Sequence, residues 1–186
     1  MRTIQSHGVE HLTLRAVGDR LGVSRTALYR HFADKSALLA AVAGEGFRML
    51  RVELLAAWHG AGEGRAGFDA MGVAYVRFAT THPSHYRVMF GGHVDRDAGD
   101  QELLTEGAAA FQALVDAIVA QQKDGLVRAD DPTLLALFVW STVHGIAMLT
   151  IDGRIQHSRF GVDELIRYAN DRMRLGFAAA SAPGSG

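Results

Sequence analysis

Four polar side chains lie within six residues of one another near the start of this 186-residue chain: Arg25, Thr26, Tyr29 and Arg30. Arginine can read the edge of a guanine through two hydrogen bonds, threonine can meet a thymine methyl group, and tyrosine can hydrogen-bond to a phosphate. On a helix these side chains share one exposed face. The pattern is compatible with an element that reads double-stranded DNA, and equally with the solvated outer face of an ordinary helix.

Two short helices must position these side chains. Thr13 is a good N-cap for a first helix, expected over 14–21, and Gly22 lies where a helix C-cap adopts a positive φ. Ser24 then caps the second helix, expected over 24–31. So short a connection predicts a helix-turn-helix, but an ordinary helical hairpin with a polar outer face has the same spacing. Periodicity alone leaves both interpretations open.

The charge of the chain is distributed unevenly. The formal net charge is −1, but residues 1–50 carry seven basic and four acidic side chains, and the remaining residues have a net charge of −4. A basic head on an acidic body is typical of a polyanion-binding module joined to a regulatory or assembly domain. A solvated charged face would give the same imbalance.

Residues 12–39 closely resemble the DNA-binding domain of the TetR family of bacterial transcriptional repressors. The matching pieces are LTLRAV at 12–17, LGVS at 21–24, LYRHF at 28–32, and Lys35 followed by two leucines at 38–39. The resemblance implies a three-helix helix-turn-helix domain that binds a palindromic operator as a homodimer. It is strong over about residues 4–45. The first helix is expected to be truncated, because the turn at Gly8 comes so soon after Met1.

The family also implies a set of DNA contacts. Arg15, Arg25, Thr26 and Ala27 match its base-edge positions, and Thr13, Tyr29, His31 and Lys35 match its phosphate contacts. Lys35 begins the next helix, whose N-terminus favours an anion. With Ser24 and Arg30, the predicted DNA-binding set is Thr13, Arg15, Ser24, Arg25, Thr26, Ala27, Tyr29, Arg30, His31 and Lys35.

Two later motifs resemble one C-terminal subgroup of the same family. WSTVHG at 140–145 is similar to its Trp-His-Gly signature, and HPSHYRVMF at 82–90 is similar to another of its segments. The family implies a small apolar or amphipathic effector in a cavity with aromatic walls and a few polar groups. A lone histidine such as His144 is also typical of hydrogen-bonded core. The candidate pocket residues are Phe78, Tyr86, Met89, Phe90, Phe111, Trp140, His144 and Met148.

The turn signals predict an all-α chain with three parts. These are a helix-turn-helix domain over 1–42, a larger helical effector-binding and dimerisation domain over 43–180, and a flexible tail over 181–186. The glycine-rich stretch 59–67 is expected to be a flexible link; its G-x-G-x-x-G spacing lacks the preceding strand that a dinucleotide site needs. Helices are expected as a stub to residue 6, then over 14–21, 24–31, 35–58, 68–81, 83–90, 101–123, 132–151 and 162–179.

The uncharged segment 132–151 is long enough to span a bilayer, yet Ser141, His144 and Gly145 lie at its centre and no polybasic anchor flanks one side. Its apolar residues occupy every angle of the helical wheel, so we expect a helix with two buried faces. One face would meet its own domain. The other would meet a second subunit, together with helix 162–179, in a four-helix dimer interface.

Several classes of function lack support in the sequence. The chain has no cysteine, which excludes disulfides and thiolate chemistry. His82, His85, His93 and the acids at 95–100 fit no established metal-ligand spacing, and the sequence has no G-x-S-x-G elbow, P-loop or convincing carboxylate pair. No signal peptide is recognisable, so we expect a cytoplasmic protein without a membrane partner, metal or cofactor.

The sequence therefore predicts a homodimeric, ligand-responsive repressor that is not an enzyme. The alternative is a helical small-molecule-binding protein or enzyme whose N-terminal hairpin is only structural.

Overall fold

The computed structural model describes residues 13–15, 19, 22, 24–92 and 101–178, apart from the side chains of residues 25, 27 and 28. These residues form α-helices joined by turns, and an isolated antiparallel bridge between Val127 and Ala178 is the β pairing within them. The all-α prediction is confirmed. The helices are α1 (Arg25–His31), α2 (Lys35–Gly60), α3 (Gly64–Thr81), α4 (Pro83–Phe90), α5 (Gln101–Lys123), α6 (Pro132–Ile151) and α7 (Val162–Phe177).

Helices α4, α5 and α6 have the predicted bounds, and α2 extends to Gly60. Of the helix expected over 14–21, Leu14, Arg15 and Asp19 are helical, and its other residues lie outside the described part of the chain. The expected stub to residue 6 and the tail over 181–186 also lie outside it.

The predicted flexible link over 59–67 is wrong. Helix α2 runs to Gly60 and α3 begins at Gly64, so three residues separate them. Gly62, Glu63 and Gly64 have φ values of 84°, 61° and 53°, a left-handed run in which glycine is favoured. The Glu63 N–H donates to the carbonyl of Trp58 at 3.0 Å. The glycines therefore supply a tight, hydrogen-bonded turn rather than a loose connection.

The described chain packs as two compact units. Unit 1 comprises the described residues within Met1–Met49 and His82–Ala109, and unit 2 those within Leu50–Thr81 and Ala110–Gly186. In unit 1, the first half of α2 packs against α4. A Cβ added at Gly46 would lie 2.6 Å from Sδ of Met89, so glycine permits the close approach of these two helices.

Unit 2 is built around α3, α6, α7 and the second half of α5. Phe78 and Ala136 are fully buried, and Ile118 is 1% exposed. Helix α6 begins at a well-formed cap, because the Asp131 carboxylate accepts hydrogen bonds from the Thr133 and Leu134 N–H groups at 2.8 and 3.1 Å. Such a cap stabilises a helix by about 1 kcal/mol.

Two of the described helices, Gln101–Lys123 and Pro132–Ile151, are long and apolar enough to cross a membrane by length and composition. A core helix of a globular domain passes the same test. Helix α6 buries Leu135, Val139, Val143 and Ile146 along one side, which is the pattern of a helix packed on a protein core.

Candidate nucleic-acid interface and regulatory cluster

Helix α1 presents a polar, exposed face. Thr26, Tyr29 and Arg30 are all exposed, and Tyr29 has 57% of its surface open to solvent although it is a large aromatic residue. Their spacing places them along one side of the helix. Nothing in the described structure buries this face, so it is available to a partner. Ser24 immediately precedes the helix and His31 ends it, both exposed.

Arg15, in the segment that precedes α1, is a second exposed basic residue after Arg30. Leu14 is buried and Arg15 is exposed, with its Nε 3.8 Å from Oδ2 of Asp19. An ion pair between two such exposed side chains is weak, so it constrains Arg15 little. Thr13 is exposed as well. The side chains of Arg25 and Ala27, which the sequence places in the base-reading set, lie outside the described part.

The start of α2 carries a feature that the sequence interpretation missed. The Asp34 carboxylate accepts a hydrogen bond from the Ala37 N–H at 2.9 Å, and the Asp34 carbonyl accepts one from Leu38 at 3.3 Å. Asp34 therefore caps the helix whose N-terminus was expected to favour a phosphate near the half-buried Lys35. The signal was available, since aspartate is a preferred N-cap residue.

Unit 1 has an aromatic core between α2 and α4. The Phe47 and Phe90 rings meet edge to face with centroids 5.3 Å apart, and the Tyr86 and Phe90 rings are 4.8 Å apart. Tyr86 is fully buried and Met89 is 4% exposed against Gly46. Of the three predicted pocket residues on α4, Met89 and Phe90 thus pack against α2, and Tyr86 is buried beside Phe90.

Unit 2 contains a polar cluster within an apolar surrounding. The indole N–H of Trp140 on α6 donates a hydrogen bond to the Tyr75 hydroxyl on α3 at 2.9 Å. The same hydroxyl lies 3.3 Å from Nδ1 of His144. Phe111 on α5 contacts Trp140 edge to face at 6.0 Å between ring centroids. The structure therefore brings Phe111, Trp140 and His144 together, and it adds Tyr75.

The hydroxyl of Tyr75 is the centre of this cluster. An indole N–H only donates, so the Tyr75 oxygen accepts from Trp140. Toward Nδ1 of His144 the hydroxyl either donates its own proton or accepts a second hydrogen bond, depending on the tautomer of the ring. Burial lowers the pKa of His144, which favours the neutral ring in either tautomer. His144 is thus a hydrogen-bonded, half-buried member of the cluster.

Phe78 and Met148, the remaining predicted pocket residues, also lie in unit 2. Phe78 is fully buried and Met148 is half-buried. Tyr75 was not predicted as a pocket residue, although it belongs to an aromatic series at helical spacing on α3. Its hydrogen bonds join residues 65 and 69 positions apart, which no local pattern encodes.

Helices α6 and α7 both carry large apolar side chains that the described part of the chain leaves exposed. Leu134 is 67% exposed, Phe138 56% and Leu175 65%. We call this set the open face; its members are Leu134, Leu137, Phe138 and Leu149 on α6, and Tyr168 and Leu175 on α7. Leu134, Leu137 and Phe138 are spaced to lie on one side of α6, and an exposed apolar stripe of this kind is typical of an interaction surface.

The side chains considered above as possible metal ligands do not form a site. Within the described chain, no group of three histidine or acidic side chains could hold an ion. His82 and His85 do meet, with ring centroids 5.9 Å apart. Burial, and then the neighbouring His82, lowers the pKa of His85. His93 and the acids at 95–100 lie outside the described residues.

An exposed polar face on α1 and a helical body with a half-buried polar cluster are typical of a DNA-binding transcriptional regulator, and comparison with known proteins identifies the family. A model of the bacterial regulatory proteins of the tetR family matches residues 1–42, and a model of the tetracyclin repressor-like C-terminal domain matches residues 68–173. The chain belongs to the TetR family. It is therefore a regulator and not an enzyme. The Trp-His-Gly subgroup stays a prediction.

Solved structures have the same fold. A protein with unknown function from Rhodococcus sp. RHA1 is 33% identical, with a TM-score of 0.84 over 95% of this chain and 90% of that one. The TetR family transcriptional regulator PfmR from Thermus thermophilus is 17% identical, with a TM-score of 0.68 over 97% and 96% of the two chains. The fatty acid degradation regulator FadR from Bacillus halodurans is 10% identical, with a TM-score of 0.75 over 92% and 88%. No curated protein sequence matches the chain significantly.

Proposed function

We propose that this protein is a ligand-responsive transcriptional repressor that binds a palindromic DNA operator as a homodimer and is released by a small effector. The observation that carries the proposal is the exposed polar face of α1, with Tyr29 beside Thr26 and Arg30, inside the segment that matches the family's DNA-binding domain. Residues 1–42 would form that domain, and residues 43–180 would bind the effector and dimerise.

The DNA contacts follow from the chemistry of each side chain. Arg15, Arg25, Thr26 and Ala27 would meet base edges in the major groove, where arginine recognises guanine through two hydrogen bonds. The phosphate contacts would come from Thr13, Ser24, Tyr29, Arg30, His31 and Lys35. The cap at Asp34 already uses one N–H of the α2 N-terminus. Lys35 itself, rather than the helix end, would therefore supply most of the attraction to phosphate.

The open face supports a dimer built from α6 and α7. Exposed leucine and phenylalanine side chains on both helices would be buried by the same face of a second copy, in a four-helix arrangement about a twofold axis. A twofold dimer places two recognition helices about 34 Å apart, one turn of the duplex, which suits a palindromic site. The apolar length of α6 is then explained by two protein contacts rather than by a bilayer, and we place the protein in the cytoplasm.

The effector would bind beside the polar cluster of unit 2. Trp140, Phe111 and Phe78 supply apolar surface, and Tyr75 and His144 supply hydrogen-bonding groups that can orient an apolar or amphipathic molecule. An effector that favours one arrangement of the dimer over another would change operator affinity by a coupling of ~1–3 kcal/mol.

The DNA upstream of the protein's own gene is the first operator to test. Binding should exceed that to random DNA of equal length, and log Kd should depend linearly on log salt concentration, with a slope of about 0.9 for each phosphate contact. The Tyr29→Ala and Arg30→Ala variants should bind more weakly. Equal affinity for all sequences, or affinity that does not respond to salt, would contradict operator recognition.

Tryptophan fluorescence tests the effector site separately. An aromatic effector should quench the protein and weaken operator binding together. The Trp140→Phe variant should lose most of the quench, whereas Trp58→Phe should keep it, because Trp58 packs against Gly67 at the start of α3. The opposite pattern would place the effector elsewhere.

A further inference from the structure

Helix α5 belongs to both compact units. Its first part, up to Ala109, lies in unit 1, and its second part, from Ala110, lies in unit 2. The helix is continuous from Gln101 to Lys123, so a displacement of one part acts on the other. The contacts that each part makes within its own unit therefore decide whether α5 can transmit a signal.

In unit 2, α5 contacts the polar cluster. The Phe111 ring meets Trp140 edge to face, with ring centroids 6.0 Å apart. Trp140 in turn donates its hydrogen bond to the Tyr75 hydroxyl at 2.9 Å. Phe111 is also packed against a buried apolar cluster that contains Ile118 and Leu135. Because the surroundings of Phe111 are filled, a change in the position of Trp140 acts on Phe111 and on the helix that carries it.

In unit 1, the same helix lies close to α2. A Cβ added at Gly44 would lie 3.6 Å from Cα of Leu103, and one added at Gly107 would lie 3.8 Å from the Phe47 ring. A glycine on each helix thus brings the other helix close to its main chain, without an intervening side chain that could yield. The first half of α2, which begins at Lys35, is therefore packed directly on α5.

The contacts at Gly107 and Phe111 are one helical turn apart. These residues are separated by four positions, so they lie on one side of α5. The three residues between them, at 108–110, are all alanine, which has the highest helix propensity. No proline interrupts residues 101–123. The sequence thus favours an unbroken helix at the point where α5 passes from one unit to the other.

We propose that α5 couples the effector site to the DNA-binding segment. A displacement of Trp140 passes through Phe111 and the adjacent turn of α5 to Phe47 on α2, which supports the segment that contacts DNA. Chains of packed side chains and rigid helices are the means by which such coupling is carried. The proposal rests on the ligand-responsive function proposed above. Phe111 is then a positioning residue, whose replacement by a smaller side chain uncouples the two units.

A fluorine probe in unit 1 tests this coupling without an operator or an effector. 4-Fluorophenylalanine is incorporated at position 47 alone in the full-length protein. Trp140→Phe supplies the disturbance in unit 2, because it removes the indole donor and reduces the ring that Phe111 contacts. The fluorine NMR signal should shift by more than its line width on this substitution. In the Phe111→Leu protein, the same substitution should leave the signal in place.

A second variant on α5 separates the role of Phe111 from a general loosening of unit 2. Leu114 is packed against the same buried apolar cluster as Phe111, and Leu114→Met conserves the volume of the side chain. The fluorine response to Trp140→Phe should persist in the Leu114→Met protein. Loss of the response in both proteins would assign the effect to the packing of unit 2 and would contradict a specific role for Phe111.

Operator titrations then measure the consequence for DNA binding. Trp140→Phe should change the operator Kd by roughly fivefold or more in the parent protein and in Leu114→Met, but not in Phe111→Leu. The proposal would be overturned by a fluorine signal that does not respond in the parent protein. It would also be overturned by a response that survives Phe111→Leu, which would assign the coupling to α2 or to the junction of α3 and α4. The expected fluorine responses without any operator binding would refute the proposed function but support the coupling through α5.

Discussion

The Trp140 indole N–H and the Tyr75 hydroxyl oxygen are 2.9 Å apart and join α6 to α3 across the interior of unit 2. The hydroxyl also lies within hydrogen-bond distance of His144, so a single oxygen links two residues on one helix to another helix. The sequence singles out Trp140 and His144 only by their similarity to a Trp-His-Gly signature. Their common partner is visible only in the structure.

Replacing Tyr75 with phenylalanine should therefore destabilise the protein. The substitution keeps the ring but leaves the Trp140 N–H and the His144 Nδ1 without their shared partner, at a cost of about 1–3 kcal/mol. Urea unfolding would measure the loss. Tyr168→Phe is the matched control, since Tyr168 is 61% exposed and its ring contact with Arg172 survives in phenylalanine. Equal stability of the two variants would show that the hydrogen bonds in the cluster contribute nothing.

Stability should fall as the pH drops below about 6.5. Burial lowers the pKa of His144 and of His85 in the folded state, so the unfolded chain binds protons that the folded chain does not. The contribution of the two histidines to the unfolding free energy is fully present above the unfolded pKa of about 6.5. It is lost as the pH falls below that value. The unfolding free energy, measured from pH 7.5 to 5, should depend less on pH in His144→Gln. The exposed His157→Gln serves as control, and identical profiles for all three proteins would refute this assignment.

Substituting Gly67 with alanine should cost about 1–3 kcal/mol in unfolding free energy. The added Cβ would lie 2.8 Å from the Trp58 carbonyl oxygen and 2.9 Å from its ring, and neither can move without disturbing the turn between α2 and α3. Gly107→Ala is the control. Its Cβ would lie 3.8 Å from the Phe47 ring, an ordinary contact, so the gain in helix propensity should stabilise the protein by up to about 1 kcal/mol. If both substitutions stabilise the protein, the space beside Trp58 accommodates a Cβ at Gly67 and the prediction is wrong.

A charge on the open face should prevent self-association. Leu134→Arg places a cation in the middle of the proposed apolar contact, so sedimentation at micromolar concentration should show a monomer where the parent protein is a dimer. Leu104→Arg, at a position 44% exposed in unit 1, should remain dimeric. If the Leu134→Arg protein sediments as a dimer, the dimer interface does not include this face of α6.

Substitutions of Arg25 and of Lys35 should affect DNA binding in different ways. Arg25→Ala should weaken specific binding by about 1–3 kcal/mol and relax selectivity at one base pair, because it removes a base-edge contact. Lys35→Ala should weaken binding to all sequences alike and reduce the salt slope by about one. Titrations on operator and random DNA at several salt concentrations separate these effects. An unchanged slope would remove Lys35 from the phosphate contacts.

Local signals predict much of this fold but little of its interior chemistry. The turn signals along the chain predict α4, α5 and α6 with their observed bounds. Glycine-rich composition misleads at 59–67, because the same glycines that favour a flexible link also permit the positive φ values of a tight turn. The hydrogen bond of Tyr75 and the contact of Phe111 with Trp140 depend on the packing of distant helices, which no spacing along the chain reveals.

Unit 1 is discontinuous along the chain, and this has a consequence for biosynthesis. Its second segment, His82–Ala109, follows the first only after residues 50–81, which belong to unit 2. A ribosome that adds 5–20 residues per second needs ~3–12 s to pass from residue 49 to residue 109. Until residue 90 has been added, the first half of α2 exists without Met89 to cover Gly46 or Phe90 to cover Phe47. The nascent DNA-binding segment therefore completes its supporting core only after more than half of the protein has been translated.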